Sequence, residues 1–308
     1  MRGYFRTLVL MAGLTALFMA VGWALGGQQG MWVALAIAGA TNLFAWWGSD
    51  SMVLRMQGAQ PVGPAENPRL HGMVEGLAQR AGIPTPKLYV IHENQPNAFA
   101  TGRSPERGAV ALNTGLLEMM DEREVAGVVA HELAHIKHRD TLIMAVTATL
   151  AGAIGFLGQF GFMLGRGRDH RPNPLVALLA MLLAPLAAVV VQAAISRSRE
   201  YEADAEGARI CGDPTWLASA LANLERYKQG RVNERAEANP AAAHMFIVNP
   251  LSGLRMDNLF STHPRTEERI ARLMALRGEA PPGLPGGLPP APRAAGPRPR
   301  FRSPWDRR

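Results

Sequence analysis

The stretch VVAHELAHIKHRDT, from Val128 to Thr141, holds the residues best suited to chemistry. His131 and His135 stand four apart, so on a helix both imidazoles project from one face about one turn apart. That is the spacing at which two ring nitrogens reach a single tetrahedral zinc. Glu132 is stepped roughly 100° around the helix from His131, which lets it address a water on the metal rather than the metal itself. A catalytic zinc needs a third protein ligand and keeps one position for water. The best candidate lies in ISRSREYEADAEGA, where Glu200 and Asp204 are again four apart on one helix face. Glu200 would complete the ligand set. Asp204 would hydrogen-bond the far ring nitrogen of a ligand histidine, fixing its tautomer and orientation. Two His and one carboxylate favour zinc among the divalent metals, one ion per chain.

The elements that must position these residues include apolar runs long enough to cross a membrane. Thr7–Leu25 and Met31–Trp47 are separated by GGQQG and read as one helical hairpin; Thr141–Leu164 and Leu175–Ile195 are separated by GRGRDHRPNP and read as a second. A span needs roughly 20 apolar residues, with a range of about 17–25. His135 lies six residues before Thr141 and Glu200 five after Ile195. At about 1.5 Å per helical residue both sit roughly 8–9 Å from the same membrane face, so the second hairpin would bring the two halves of the metal site to one depth. Arg2, Arg6, Arg55, Lys137, Arg139, Arg197 and Arg199 flank the runs on one side, and the positive-inside rule makes that side the cytoplasm, against Arg166, Arg168 and Arg171 in an outer loop.

Between the hairpins, NPRLHGMVEGLAQRAG has helical periodicity, and KLYVIHE, NAFATG and RGAVALN are short strand-like runs. DEREVAGVVAHELAHIKH predicts a helix with Asp121 as N-cap and acids in its first turn. Three further helices are expected over 199–210, in DPTWLASALANLERYKQG and in HPRTEERIARLMALRG. The expected fold is therefore α+β and mainly helical. It has four transmembrane helices in two hairpins, a zincin-like cytosolic catalytic domain and a small strand region. The divisions are a first hairpin over 1–50, a catalytic region with the small sheet over 51–140 and a second hairpin over 141–198. A helical part carrying the third ligand follows over 199–277, and then a Pro/Arg-rich tail over 278–308 that cannot bury a core.

Composition narrows the function classes. The chain has 308 residues and a net charge of +7, and from Gly278 onward six Arg stand against Glu279 and Asp306, so +4 of that charge belongs to the tail. No segment carries a basic stripe with interleaved aromatics, which excludes a nucleic-acid reading. The basic tail suits the surface of a membrane. Cys211 is the sole cysteine, so no intramolecular disulfide forms.

His131-Glu132-x-x-His135 with Glu200-x-x-x-Asp204, each set abutting an apolar span, resembles the HtpX family of bacterial integral-membrane zinc metalloproteases, gluzincins related to the CAAX prenyl proteases. NAFATG, NTGLL, HIKHRDT, SREYEAD and STHP fit the same pattern, which extends to about Gly278. The resemblance implies that His131, His135 and Glu200 are zinc ligands, Glu132 the general base and Asp204 the partner of His131. It further implies that Asn97, Ala98 and Phe99 belong to an edge strand that holds substrate backbone, and that His263 approaches the site as a hydrogen-bond donor or serves in packing. The implied protein is a multi-pass enzyme of the bacterial inner membrane with its catalytic domain in the cytoplasm. It would act in stress response and protein quality control, on polypeptides that are themselves membrane proteins. A non-hydrolytic zinc-binding membrane scaffold or chaperone and a CAAX-type prenyl protease are the alternatives.

Overall fold

The computed structural model describes residues 2–144, 197–228, 246–247 and 264–277. Most of the expected second hairpin, the tail from 278 and His263 lie outside the described residues. The described part is mainly helical with one small sheet.

Helix α1 (Arg2–Met56) is helical throughout except at Gly26 and Gly27, and Gly27 has φ 55°. That left-handed backbone costs glycine little, and the chain doubles back there into the expected hairpin. Asn42 Nδ2 of the second arm donates to Thr15 Oγ1 of the first at 2.9 Å, and to Met11 O at 3.3 Å. Interhelical hydrogen bonds of this kind join helices where no hydrophobic effect acts between them. Gly26–Gly48 is long and apolar enough to cross a bilayer, whereas Thr7–Trp23 is a shorter apolar helix. Trp23, Trp32, Leu43, Phe44 and Trp47 are exposed on the hairpin.

The second arm runs past the apolar stretch to Met56, and its last turns pack on the sheet. Strands β1 (Gln60–Pro61), β2 (Lys87–Ile91), β3 (Ala98–Thr101) and β4 (Ala109–Asn113) form a mixed sheet in the order β1-β2-β4-β3. β2 and β4 are parallel, while β1–β2 and β3–β4 are antiparallel. The period of two divides the side chains between the faces. Ile91, Phe99, Ala109 and Ala111 meet Leu54 of α1, whereas Leu88, Ala98, Val110 and Leu112 join the main core. The three strand-like runs of the sequence are thus strands. β1 carries no periodic signal at two residues, one of them proline.

Helix α2 (Pro68–Ala81) starts at Asn67, whose side chain accepts from Leu70 N, and stops at Gly82 in the left-handed conformation. A short α3 (Thr114–Met119) leads to α4 (Glu122–His138). Asp121 caps α4 reciprocally with Glu124: Asp121 Oδ1 accepts from Glu124 N at 2.9 Å and Glu124 Oε2 from Asp121 N at 3.0 Å. α2, β3, α5 (Arg197–Cys211) and α6 (Pro214–Lys228) pack around α4, and α7 (Thr266–Leu276) packs on α5 and α6. Val128, Val129 and Leu133 of α4 are fully buried. Each such side chain contributes about 1.5–3 kcal/mol by leaving water, so the helix that carries HELAH is the best-anchored element of the fold.

Candidate metal centre

Helix α4 buries the whole HELAH motif: His131, Glu132 and His135 are 2%, 6% and 4% exposed. The second half of the site comes from α5. Glu200, Asp204 and Gly207 share the face that meets α4, and a Cβ at Gly207 would lie 3.0 Å from both Cα and N of His131. The missing side chain is what lets the two helices approach closely enough for their polar groups to meet.

His131 Nε2 lies 3.2 Å from His135 Nε2, and the rings stand edge to face. Glu200 Oε2 is 3.8 Å from His131 Nε2, and Glu200 Oε1 is 3.6 Å from His135 Nε2. The donor atoms of these three buried residues all fall within 4.8 Å of one another. Both far ring nitrogens face carboxylates. His131 Nδ1 is 3.0 Å from Asp204 Oδ1, within ion-pair distance but not aligned as a hydrogen bond, and His135 Nδ1 is 3.2 Å from Asp140 Oδ2. When both rings are neutral, a carboxylate beside Nδ1 favours the proton there, and the two Nε2 lone pairs then face each other. Two converging lone pairs and a carboxylate suit a cation, not one another.

The charge balance points the same way. Glu132, Asp140, Glu200 and Asp204 are buried, and the buried cations beside them are Arg199 and Arg269. Among the described residues, the four carboxylates outnumber the two guanidiniums. Burying uncompensated charge is costly, and a divalent cation cancels it. The residues present therefore fit a divalent metal held by His131, His135 and Glu200.

Burial pushes the Glu132 carboxyl up, against the pull of His131 and His135. Burial alone would lower His135, but the hydrogen bond it donates to Asp140 and the charges of Glu200 and Glu132 outweigh it and raise the group to about 9. Burial would raise Asp204, yet Arg269 holds it down at about 2. Asp204 in turn keeps the Arg269 guanidinium charged despite its complete burial.

Three of these residues carry no signal of their role in the sequence. Arg269, on α7, donates from Nε and Nη2 to both oxygens of Asp204 and from Nη1 to Ile247 O, and Nη1 is 3.8 Å from Glu200 Oε2. In the sequence it is one more charge on an amphipathic helix. Asp140 and Arg199, the latter counted there among the flanks of the apolar runs, are 4% and 7% exposed and pair with each other. Arg199 thus belongs to the site and drops out of the charges that face a membrane.

Glu132 reaches out of the site toward the sheet: its Oε2 accepts from Ala100 N of β3 at 2.8 Å. β3 is an edge strand of the sheet. Asn113 N donates to Asn97 O, so by antiparallel alternation the backbone groups of Ala98 and Ala100 point away from β4. The side chains of Asn97, Ala98 and Phe99 are buried, and Asn97 Oδ1 accepts from Ile247 N at 3.3 Å. The outward groups of this strand at Ala98 and Ala100 are thus mainly backbone.

The fold has a counterpart among solved structures. The crystal structure of S. mikatae Ste24p shares the fold with a TM-score of 0.51 at 18% sequence identity, over 88% of this chain and 65% of that chain. The chain thus spans 65% of the length of that protein. Residues 64–277 match Peptidase family M48. That range covers more than half of the chain and contains His131, Glu132, His135, Glu200, Asp204 and Arg269, while α1 lies outside it. The chain belongs to peptidase family M48, a family of metallopeptidases.

Proposed function

We propose that the protein is a membrane-bound zinc endopeptidase that hydrolyses polypeptides at the cytoplasmic face of a bacterial inner membrane. The observation that carries this reading is the buried convergence of His131, His135 and Glu200, with Glu132 tethered to the edge strand beside them. When bound, zinc supplies Lewis acidity, which makes water a competent nucleophile at neutral pH and polarises a carbonyl.

The chain's own residues do the rest. His131, His135 and Glu200 hold the metal, and Asp204, gripped by Arg269, turns His131 toward it. Glu132 is the general base. Ala100 N–H holds its Oε2, which leaves Oε1 to take a proton from the attacking water and return it to the leaving amine. The same carboxylate ties the base to the strand that would bind substrate. Ala98 and the carbonyl of Ala100 offer backbone groups for strand addition, so an extended peptide paired there lies beside the base.

The membrane assignment rests on the α1 hairpin, with its exposed Trp, Leu and Phe side chains and its Asn42–Thr15 hydrogen bond. Arg55, Lys137, Arg139 and Arg197 flank the apolar segments on the side of the metal site, which supports a cytoplasmic orientation. Substrates are then membrane proteins, or cytosolic segments of them, that present an extended strand near the bilayer. A role in quality control follows from the resemblance to the HtpX family. The test is proteolysis of casein and of an unfolded membrane protein by the detergent-solubilised chain, before and after chelation. Cleavage that stops with chelator and returns with zinc supports the reading. Cleavage indifferent to chelator contradicts it.

A further inference from the structure

Helix α4 ends at Arg139, which takes a left-handed φ of 62° and is the one non-glycine residue with positive φ among the described residues. Such backbone costs of order 1–3 kcal/mol and persists where its surroundings enforce it. Its effect here is visible in the next two residues. Asp140 turns back under the helix and places Oδ2 3.2 Å from His135 Nδ1. Thr141 Oγ1 donates to Gly102 O, at the end of β3, at 2.7 Å.

The second oxygen of Asp140 goes elsewhere: Oδ1 is 3.6 Å from Nε of Arg199, the residue next to Glu200 in α5. One buried carboxylate therefore touches both halves of the ligand set, a histidine of α4 on one side and the neighbour of the glutamate on the other. Resting on the metal reading above, we propose that Asp140 is a positioning residue for His135, and that its pairing with Arg199 fixes the spacing of α4 and α5 at the metal centre. Asp140 holds the proton of His135 on Nδ1 and so aims the Nε2 lone pair at the site, as Asp204 does for His131. Arg199, 3.6 Å away, holds Asp140 in place. The left-handed turn at Arg139 allows an aspartate five residues after a ligand to reach back to it. The pair also joins the two ends of the stretch expected to form the second membrane hairpin, so α4 and α5 would be clasped where each meets that hairpin.

Outer partners of metal-bound histidines typically set about 10–100-fold in metal affinity. The experiment uses full-length detergent-solubilised protein and three readouts: zinc Kd by competition with a chromophoric chelator, the visible spectrum of the cobalt form, and melting of the metal-free protein. Asp140→Ala should raise the zinc Kd by about 10–100-fold and alter the cobalt spectrum. Asp140→Asn, which still offers His135 an acceptor, should fall between Asp140→Ala and wild type, and Arg199→Gln should shift Kd in the same direction by less. If Asp140→Ala fails to fold, Asp140→Asn decides. A zinc Kd within twofold of wild type and an unchanged cobalt spectrum in Asp140→Asn and Arg199→Gln, with lowered melting only, would overturn the inference in favour of packing. A wild type that binds neither zinc nor cobalt would overturn the metal reading, and this inference with it.

Discussion

Arg269 grips Asp204 with two parallel hydrogen bonds, Nε to Oδ2 at 2.8 Å and Nη2 to Oδ1 at 2.7 Å, across 65 residues of sequence and with both side chains buried. The same guanidinium donates to Ile247 O, so α7 is pinned to the metal centre through one residue. Lysine cannot reproduce a planar two-point grip.

Arg269→Met therefore leaves Asp204 as an uncompensated buried charge. The expected loss is about 3–5 kcal/mol of stability, together with weaker metal binding because Asp204 no longer holds His131. Asp204→Asn combined with Arg269→Met should recover part of the loss. Chemical denaturation of the four proteins in a double-mutant cycle checks this. Strictly additive effects would show that the two side chains do not act as a pair.

Metal removal should destabilise the fold and not only silence it, because the buried carboxylates described at the site outnumber its guanidiniums. At free zinc about 100-fold above its Kd the metal should add about 2.7 kcal/mol. Thermal melting with and without chelator reads the difference. Identical curves would mean that no cation belongs there.

Glu206 supplies a pH test away from the ligands. It accepts from Lys137 of α4 at 2.6 Å and from Arg209 of its own helix at 2.7 Å. The bond from Arg209 is the largest influence and Lys137 adds to it, which together hold Glu206 at about 2 against an ordinary 4.5. A depressed carboxylate contributes stability that is full above its unfolded value and fades as pH falls toward its folded one. The stability gap between wild type and Glu206→Gln should thus be constant above about pH 5 and close as pH falls from 4.5 toward 2. The gap is small, since the pair is partly exposed. Denaturation midpoints of the metal-free proteins across that range measure it. A gap that stays constant down to pH 2 would contradict the pairing.

Gly207→Ala should separate α5 from α4. The new methyl would sit 3.0 Å from backbone atoms of His131, and overpacking of this kind costs about 1–3 kcal/mol. Because Glu200 and Asp204 move with the helix, zinc affinity should fall along with the melting temperature. A variant that melts lower but binds zinc as tightly as wild type would show that α5 can shift without moving its ligands.

Much of the site was legible because its signals are local. His131, Glu132 and His135 declare themselves through four-residue spacing on one helix, and Asp121 through the turn it caps. Glu200 has no such spacing to a histidine, and its expected place rests on the lengths of two apolar runs that lie mostly outside the described residues. Arg269 was not legible, because only the packing of α7 on α5 turns an ordinary surface-type arginine into a buried one. Asp140 carries no local signal of its role, since its contact with His135 depends on the left-handed turn at Arg139, which non-glycine sequence does not announce. The strands were readable one by one, but the order β1-β2-β4-β3 is set by non-local pairing. The expected substrate strand lies at the sheet edge, with its side chains buried and its backbone turned outward, and periodicity cannot reveal that distinction.

The central claim is that Glu132 acts on water while the metal is held by other residues. The direct measurement is zinc content and peptide hydrolysis in wild type and Glu132→Gln, purified side by side in detergent. One zinc per chain in both is expected, with hydrolysis lower by at least about 10²-fold in the variant, the scale set by loss of a general base. Cleavage by Glu132→Gln at the wild-type rate would contradict the account.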